Sequence, residues 1–238
     1  MTINNNLNEN EKLNKNKKIE FVDDIINDVD DEKKYFIYFL KYLMNVEREI
    51  ENMKIILFNE NNINYFKLFK LFLKNNQKII RPGDLKNGLK SIGLTLNDFE
   101  IALLMKKFDL KNKGFIDYEE FMDIFMPFEK YEKQNFDNAV LNKKNLNEIK
   151  ELLILIINHE IKINELRKTL DFFSDIDDVN EFIQFMKENN SIEGLIDYCK
   201  KADIFIGEKE AILLFKRLDR NRNKIFDVNC LDDELKAI

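Results

Sequence analysis

The chain is short of the residues that interrupt helices and of those that cross-link small domains. Its 238 residues include no tryptophan, six glycines, two prolines and two cysteines. Because glycine and proline are the usual helix breakers, so few of them favour a mostly helical fold with short turns. The two cysteines, Cys199 and Cys230, exclude a disulfide framework and are typical of reduced thiols in a cytosolic protein. We therefore expect an all-α protein in the cytoplasm.

Residues that carry catalysis are equally scarce. His159 is the one histidine, three serines are present, and neither a glycine-rich phosphate loop nor a CxxC motif occurs. Nucleophilic catalysis requires an activated nucleophile beside a base, and this composition offers little material for one. His159 falls on an apolar helical stripe, where a hydrogen-bonded packing role is the usual one. We predict that the protein is not an enzyme.

Excess basic charge and long apolar runs are also absent. The chain has 38 basic and 44 acidic residues, for a net charge of −6, whereas a nucleic-acid-binding domain carries a basic stripe. The longest aliphatic run, residues 152–157, is too short to cross a membrane, and no secretory signal pattern opens the sequence. We expect neither nucleic acid nor membrane among the partners. A hydrophobic fraction of 45%, with 21 phenylalanines, is enough for a sizeable core.

One stretch, residues 108–121, combines a polar loop with two flanking helical patterns. In the loop from Asp109 to Glu120, Asp stands at position 1, Gly at 6, Ile at 8, Asp at 9 and Glu at 12. Apolar residues recur at i, i+3, i+4 and i+7 on both sides, which is the spacing of an amphipathic helix. They are Ile101, Leu104, Met105 and Phe108 before the loop, and Phe121, Ile124, Phe125 and Phe128 after it. The stretch resembles the EF-hand superfamily, the helix–loop–helix calcium proteins of the calmodulin type.

The resemblance implies a cation site in this loop. Its ligands would be Asp109, the carbonyl oxygen of Phe115, Asp117 and a bidentate Glu120. Gly114 would occupy the sharp turn, because glycine adopts that backbone geometry at little cost. The loop would then surround a single calcium or magnesium ion.

Two lysines depart from the EF-hand pattern. Positions 3 and 5 of the loop should offer oxygen ligands, but they are Lys111 and Lys113. An ammonium group has no lone pair to give to a metal, and it repels a divalent cation. We expect an EF-hand that keeps its fold while its lysines neutralise the leftover carboxylates, with no cofactor or only weakly bound calcium.

Another loop of EF-hand length, residues 73–84, precedes the loop 109–120. Leu73 replaces the first aspartate, so we expect no metal there. Ile80 stands at position 8 and would form a short strand bridge with Ile116, as the resemblance to paired hands implies.

Helix ends near these loops are marked by capping residues. Gly93 predicts the end of the helix that leaves the loop 73–84. Thr95 followed by Asp98 predicts a capping box that opens the next helix.

The second half of the chain repeats the first. Residues 213–219 echo residues 103–109 at an offset of 110, and an apolar seam in residues 149–170 echoes that in residues 36–57 at an offset of 113. The difference between the two offsets predicts a short deletion. It falls in the loop of a third hand, around residues 186–194, where little of the motif survives.

The fourth loop, Asp219 to Cys230, keeps some oxygen atoms and loses others. Its candidate ligands at positions 1, 3, 5 and 9 are Asp219, Asn221, Asn223 and Asp227. Position 6 is Lys224 instead of glycine, and position 12 is Cys230 instead of a bidentate carboxylate. Because a hard cation needs such anionic oxygens, we expect calcium binding here to be severely weakened.

A long helix is predicted before each pair of hands. In residues 35–58 apolar side chains recur at alternating steps of three and four, which forms a heptad seam narrower than an ordinary surface-helix stripe. The seam residues are Phe36, Phe39, Leu43, Val46, Ile50, Met53 and Leu57. We expect the seam to pack on its own EF-hand domain, with packing on another helix as the alternative.

The expected fold is two EF-hand-pair lobes, that is, four degenerate helix–loop–helix units, each pair preceded by a long helix. Residues 1–30 form a tail that is disordered or used in docking, because its polar composition cannot bury enough surface to offset the ordering entropy. Residues 31–131 form the first long helix and EF-hand pair, residues 132–147 a polar linker, and residues 148–238 the second long helix and degenerate pair.

Within the superfamily, the chain resembles the tandem EF-hand proteins of the ciliary axoneme, including those that line doublet microtubules. The resemblance rests on the long helices and on a Phe-x-Pro-x-x-x-Tyr element after the first pair. It implies a structural or interaction module of the cytoskeleton or cilium, with tubulin or axonemal proteins as partners. The predicted contact residues are Phe36, Leu43, Ile50, Phe125, Pro127 and Tyr131.

Two other functions stay open. A calcium sensor of the calmodulin or light-chain type would expose an apolar groove to a target helix, and it would need one working loop, most plausibly residues 109–120. Alternatively, the heptad seams of two copies of the chain would form a homodimer.

Overall fold

The computed structural model describes residues 34–60, 63–74, 77–128, 141–172, 177–220 and 222–238. These residues form α-helices joined by loops, and the one β-type contact among them is an isolated antiparallel bridge between Ile80 and Ile116. The fold is therefore all-α, as the composition predicts. The predicted N-terminal tail lies outside the described residues. No helix in the described part of the chain is both long and apolar enough to span a membrane.

The helices of the described residues fall into two long ones and eight short ones. Their bounds are Lys34–Glu60 (α1), Tyr65–Phe72 (α2), Pro82–Ser91 (α3), Asp98–Phe108 (α4), Tyr118–Phe125 (α5), Lys143–Phe172 (α6), Asp177–Glu188 (α7), Ile192–Lys201 (α8), Glu208–Leu218 (α9) and Val228–Leu235 (α10). The long helices α1 and α6 have 27 and 30 residues, whereas the others have 8 to 12. Helix α6 begins within the stretch predicted as a linker.

The heptad seam of α1 lies in the core. Phe36, Phe39 and Leu43 have no exposed surface, and Ile50 and Leu57 are each 2% exposed. Helix α1 packs chiefly against α6 and α9, which belong to the second half of the chain. The seam is therefore covered mainly by the other half rather than by its own EF-hand domain. As folded, it does not present a surface for homodimerisation.

His159 joins the two long helices. Its Nε2 lies 3.0 Å from Oε2 of Glu49, and its Nδ1 lies 3.2 Å from the hydroxyl of Tyr42. Burial lowers the pKa of His159 below its usual value, although the carboxylate of Glu49 opposes that shift. The histidine is a hydrogen-bonded packing residue, which is the role predicted for it.

Two helix ends test the capping signals in the sequence. Helix α3 ends two residues before Gly93, which has a φ of +83°, so the predicted role of this glycine is confirmed. The predicted capping box of Thr95 and Asp98 is wrong. Asn97 caps α4 instead: its Oδ1 accepts from the N–H of Glu100, whose carboxylate accepts from the N–H of Asn97. This box lies two residues further along the chain.

Candidate metal centre

The loop between α2 and α3 is paired with the loop between α4 and α5. The N–H of Ile80 donates to the carbonyl of Ile116 at 2.8 Å, and the N–H of Ile116 donates to the carbonyl of Ile80 at 2.9 Å. Both side chains are fully buried. The predicted bridge between these two isoleucines is confirmed. It fixes the position of the loop 109–120, hereafter the second loop, against its neighbour.

Asp109 organises the backbone of the second loop. Its carboxylate accepts from the N–H groups of Lys113 at 2.9 Å and Gly114 at 2.6 Å. Gly114 has a φ of +78°, a left-handed conformation that glycine adopts readily, and it stands at the predicted turn. Asn112 also has a positive φ, of +49°, which asparagine tolerates better than most residues. These hydrogen bonds hold the turn through the loop's own atoms.

The ammonium of Lys113 lies between the remaining carboxylates of the second loop. Its Nζ donates to Oδ2 of Asp117 at 2.6 Å and to Oε2 of Glu120 at 2.8 Å. The side chain of Glu120 is only 2% exposed, so this contact compensates a nearly buried charge. The expected neutralisation of leftover carboxylates is therefore observed for Lys113. Lys111, by contrast, is exposed and forms no ion pair within the described residues.

Lys113 and Asp117 each shift the pKa of the other toward the charged state. Burial alone would raise the pKa of Asp117, but hydrogen bonds from the N–H of Glu120 and from Lys113 lower it overall. Burial would lower the pKa of Lys113, but its hydrogen bonds to Asp117 and Glu120 raise it overall. The ammonium and the carboxylate of Asp117 are thus both ionised at neutral pH.

In this conformation, the carboxylate oxygens of the second loop contact backbone N–H groups and the ammonium of Lys113. Both oxygens of Asp109 accept from backbone N–H groups, and the inner oxygens of Asp117 and Glu120 face an ammonium. Oε1 of Glu120 is buried without a hydrogen-bond partner. Phe115, whose carbonyl is a candidate ligand, has its ring 4.7 Å from Nζ of Lys113. Among the described residues, no group of three or more His, Cys, Asp or Glu side chains is arranged to hold a metal ion.

The fourth loop uses its polar groups on its own backbone. Asp219 accepts from the N–H groups of Asn223 at 3.3 Å and Lys224 at 2.8 Å, which are the contacts that its counterpart makes in the second loop. Oδ1 of Asn223 accepts from a backbone N–H two residues further on. Asp227 caps α10 by accepting from the N–H of Asn229 at 2.9 Å. Each of these three candidate ligands thus accepts from a backbone N–H of its own loop.

Two departures from the EF-hand pattern are visible in the fourth loop. Lys224 stands at the position of glycine and has a φ of +61°, a conformation that is strained for a residue with a side chain. Cys230, at position 12, is buried and offers no carboxylate. Asn221, the candidate ligand at position 3, lies outside the described residues.

The segment predicted to be the loop of a third hand is a short turn. Residues 189–191 separate α7 from α8, whereas residues 73–81 separate α2 from α3, which agrees with the predicted deletion. The side-chain amide of Asn190 takes the place of a partner strand. Its Oδ1 accepts from the N–H of Phe226, and its Nδ2 donates to the carbonyl of Phe226 at 3.4 Å. Phe226 stands at position 8 of the fourth loop, where the second loop has Ile116.

The second and fourth loops contact each other across the two halves of the chain. The guanidinium of Arg220, a residue only 4% exposed, donates to the carbonyls of Lys106 at 2.7 Å and Asp109 at 3.0 Å. Nδ2 of Asn112 donates to Oδ2 of Asp233 at 2.9 Å. Asp109 is thus held by its own loop through its carboxylate and by the other half through its carbonyl.

A buried ion network joins helices of both halves. Its three cations and three anions are Glu47 (α1), Lys107 (α4), Glu160 and Arg167 (α6), Arg217 (α9) and Glu234 (α10). Arg217 is the hub, because its guanidinium lies 2.6 Å from Glu47, 2.9 Å from Glu160 and 2.7 Å from Glu234. The charges balance, as they must if ionised groups are to be buried.

Two carboxylates of this network are held in the charged state. Burial alone would raise the pKa of Glu47, but Lys107 and Arg217 lower it to about 2. Burial alone would also raise the pKa of Glu234. Arg217 and Arg167 nevertheless hold that pKa well below its usual range. The network thus persists through the neutral range of pH.

The network is not among the features predicted from the sequence, although a signal for it exists. Glu160 and Arg167 stand seven residues apart with Ile163 between them, so all three share one face of α6. Opposite charges on the apolar face of a long helix indicate buried partners elsewhere in the fold.

The predicted contact residues are core residues in this structure. Phe36, Leu43, Ile50, Phe125 and Pro127 are all buried, and Tyr131 lies outside the described residues. A partner could reach the buried ones only if the helices separated. Their role in an interface stays a prediction.

Comparison with known proteins identifies relatives but no family model and no solved structure. The chain is 30% identical over 152 residues to calcium-dependent protein kinase 11 of Oryza sativa subsp. japonica, which covers 60% of the chain and 26% of the kinase. It is 30% identical over 101 residues to troponin C of Todarodes pacificus, covering 42% of the chain and 64% of that protein. It is also 30% identical over 101 residues to myosin 1 light chain cam2 of Schizosaccharomyces pombe, covering 42% of the chain and 62% of that protein.

These matches support the resemblance to the EF-hand superfamily. The chain spans less than two thirds of each relative, and about a quarter of the kinase.

Proposed function

We propose that the chain is a non-catalytic EF-hand protein that acts as a structural or interaction module, with calcium binding largely lost. Its four degenerate helix–loop–helix units are arranged in two pairs, each preceded by a long helix. The bridge between Ile80 and Ile116 supports the first pair, and the contact between Asn190 and Phe226 supports the second. The similarity to troponin C and to a myosin light chain supports the superfamily.

One observation carries this proposal: the ammonium of Lys113 lies between the carboxylates that would otherwise surround a cation. A covalently attached charge is present at every calcium concentration. A ligand shifts a conformational equilibrium only through its different affinity for the two states, and a loop that already contains its cation offers little such difference. The shape of the module is then constant, and its partners bind it without a calcium signal.

The partners of such a module are proteins, and we propose cytoskeletal ones, namely tubulin or proteins of the axoneme. The name of one relative, a myosin light chain, states association with a motor protein. The Phe125 and Pro127 element, resembling the axonemal EF-hand proteins, supports the narrower assignment. The proposed location is accordingly the cytoplasm, at the cytoskeleton or cilium, with no nucleic acid or membrane as partner.

Co-sedimentation of the full chain with microtubules and with isolated axonemes tests this proposal. We expect the same fraction of the protein in the pellet with a calcium chelator and with millimolar calcium, because the loop does not respond to the ion. Protein that stays entirely in the supernatant under both conditions would contradict the cytoskeletal assignment. Binding that appears only with calcium would contradict a constant module.

A calcium sensor is the second candidate function. The backbone of the second loop keeps its turn at Gly114, and Oε1 of Glu120 is a buried acceptor without a partner. The name of one relative also states calcium dependence. In this case calcium would displace Lys113 and expose an apolar groove to a target helix.

Amide NMR spectra distinguish the two functions directly. The N–H of Gly114 donates to Asp109, so its resonance reports on any rearrangement of the second loop. The module predicts an unchanged Gly114 resonance on addition of calcium. A large shift of this resonance, together with shifts in the core of the first half, would favour the sensor.

A further inference from the structure

A cavity of about 100 Å³ lies between the two halves of the chain. Helices α1, α4 and α5 and the second loop line it from the first half, and α6, α9, α10 and the fourth loop line it from the second. Seven cationic side chains and five carboxylates face this cavity. The excess of positive charge raises the question of what compensates it.

Three of the five carboxylates are already neutralised by other cations. Glu47 and Glu234 belong to the buried ion network, where they contact Arg217. Glu120 is paired with Lys113, which does not line the cavity. None of these three carboxylates is left to compensate the other cations of the cavity.

The remaining two carboxylates are also engaged. Asp123 is paired with the guanidinium of Arg222. Oε1 of Glu51 accepts from the N–H of Phe128 at 2.7 Å, and this carboxylate forms no ion pair within the described residues. Glu51 is therefore the single acidic group left to balance the other cations at the cavity.

Four cations lack a carboxylate partner in the described part of the chain: Lys54, Lys106, Lys216 and Arg220. Nζ of Lys54 donates to a backbone carbonyl at 2.6 Å, and Nζ of Lys106 to two carbonyls at 2.6 and 2.5 Å. Nζ of Lys216 lies 5.1 Å from the centre of the Phe128 ring. Because an ammonium has three donors, Lys54 and Lys216 keep donors for a further acceptor.

Arg220 adds a buried donor of its own. Its Nη2 is used by two carbonyls, but its Nε is buried without a hydrogen-bond partner. The residue is 4% exposed, so water from the surface does not freely satisfy this N–H. A buried unpaired donor is costly, and an acceptor in the cavity would remove that cost.

Burial lowers the pKa values of two lysines at the cavity. Burial lowers the pKa of Lys54 to about 8; Glu51 opposes this shift, and Lys216 adds a smaller lowering. Burial also lowers the pKa of Lys106 to about 8, with contributions from Arg167 and Arg220. An added anion would raise both pKa values, because it favours the charged ammonium.

We propose that this cavity binds a small oxyanion of the phosphate type through Lys54, Lys216 and Arg220. Phosphate and sulfate present several acceptor oxygens with a charge near −2, which matches cations that have spare donors. A cavity of roughly 150 Å³ holds a benzene-sized molecule, so the smaller one here excludes a nucleotide. The anion would contact Lys54 from the first half and the other two residues from the second, so that its binding stabilises the contact between halves.

Thermal unfolding of the full chain tests the proposal. The melting temperature is compared in sodium phosphate, sodium sulfate and sodium chloride at equal ionic strength, and calorimetry supplies the dissociation constants. We expect a rise of about 3 °C or more over chloride once phosphate reaches ten times its dissociation constant. Phosphoserine is a further ligand: a response to it would identify a phosphorylated side chain, and a response to inorganic phosphate alone would identify the free anion.

Two matched double variants locate the site. Lys54→Gln/Lys216→Gln removes two charges from the cavity, whereas Lys90→Gln/Lys187→Gln removes two exposed lysines that do not line it. We expect the first variant to bind phosphate at least about tenfold more weakly and the second to change affinity less than about twofold, because charge-assisted hydrogen bonds are lost only in the first.

Each outcome decides the proposal. Equal melting temperatures of the wild-type chain in phosphate and in chloride would overturn it, because the cavity would then hold water only. Equal weakening in both double variants would also overturn it, since binding would follow net charge. If the first variant does not fold, the single variant Lys216→Gln replaces it, and unchanged affinity there is the contrary result.

Discussion

The second and fourth loops have the same backbone conformation at the turn but differ in the contacts that stabilise it. In both, the first aspartate accepts from the N–H groups at positions 5 and 6, and the residues at positions 4 and 6 have positive φ. The second loop contains its own ammonium, Lys113, and is bridged at position 8 by backbone hydrogen bonds. The fourth loop is bridged there by the side chain of Asn190, and Arg220 ties it to the other half.

The comparison shows that the same turn forms in two loops whose residues at positions 5, 6 and 12 differ. An aspartate at position 1 and two left-handed residues reproduce it in both halves. The two loops differ in the contacts that hold this turn. The second loop has its own ammonium, that of Lys113, beside two carboxylates, whereas the fourth is held by contacts to residues distant in the sequence.

The largest expected effect comes from Arg217, the hub of the buried ion network, on the helix that leads into the fourth loop. Arg217→Met leaves Glu160 and Glu234 buried with too few partners. We expect the free energy of unfolding, measured with urea, to fall by about 3–5 kcal/mol. Lys168→Met breaks an exposed pair with Glu165 and serves as the control, with an expected loss of less than about 1 kcal/mol. Similar losses in both variants would contradict the importance of the network.

The next effect concerns the bridge of the fourth loop. Asn190→Ala leaves the backbone N–H and carbonyl of Phe226 without their partner, and we expect a loss of about 1–3 kcal/mol. Asn189→Ala removes a neighbouring exposed amide that bonds a helix carbonyl, and we expect a loss of less than about 1 kcal/mol. Urea denaturation of the two variants makes the comparison. An unaffected Asn190→Ala would mean that the amide does not substitute for a strand.

A smaller effect is expected from the ammonium of the second loop. Lys113→Gln leaves Glu120 nearly buried without an ion pair, and we expect a loss of about 1–2 kcal/mol near pH 7. Lys111→Gln is the matched control, because Lys111 is exposed, and its effect should lie within about 0.5 kcal/mol. If both substitutions have the same effect, Lys113 has no special place in the loop.

The same variant has a pH signature. The pKa of Asp117 is lowered in the folded chain, so its contribution is complete above the unfolded pKa and is lost as the pH falls through the folded one. We expect the stability of Lys113→Gln to decline less than that of the wild type on acidification, because part of the lowering comes from Lys113. Parallel declines would contradict this ion pair in solution.

The smallest expected effect is a gain. Lys224→Gly removes the strain of a left-handed residue, and we expect a stabilisation of about 0.5–1 kcal/mol. Gly114→Ala is the inverse change in the second loop, where no atom crowds an added Cβ, and it should cost about 1 kcal/mol or more. Changes in melting temperature of opposite sign for the two variants would support equivalent turns in the two loops. Changes of the same sign would show that the two loops are not comparable.

Local features of the sequence predict local structure well here. The bridge of Ile80 with Ile116, the turn at Gly114 and the neutralising role of Lys113 all depend on spacing within one motif. The capping box at Asn97 was displaced from the predicted position because several polar residues there compete for one helix start.

The remaining features depend on contacts between distant parts of the chain. Periodicity shows that α1 has an apolar seam, but it does not show that α6 and α9 cover it. The partner of Phe226 lies 36 residues away, and Arg217 contacts a carboxylate 170 residues away. Such pairings are set by the packing of whole helices, which no single motif encodes.

Calcium titration by calorimetry tests the central claim most directly, with the wild-type chain compared with Lys111→Asp/Lys113→Asp. We expect no saturable heat from the wild type up to about 1 mM calcium, and binding tighter than about 10⁻⁴ M in the variant, which restores oxygen ligands at positions 3 and 5. Saturable micromolar binding by the wild type, with Lys113 displaced from Asp117 and Glu120, would contradict the account.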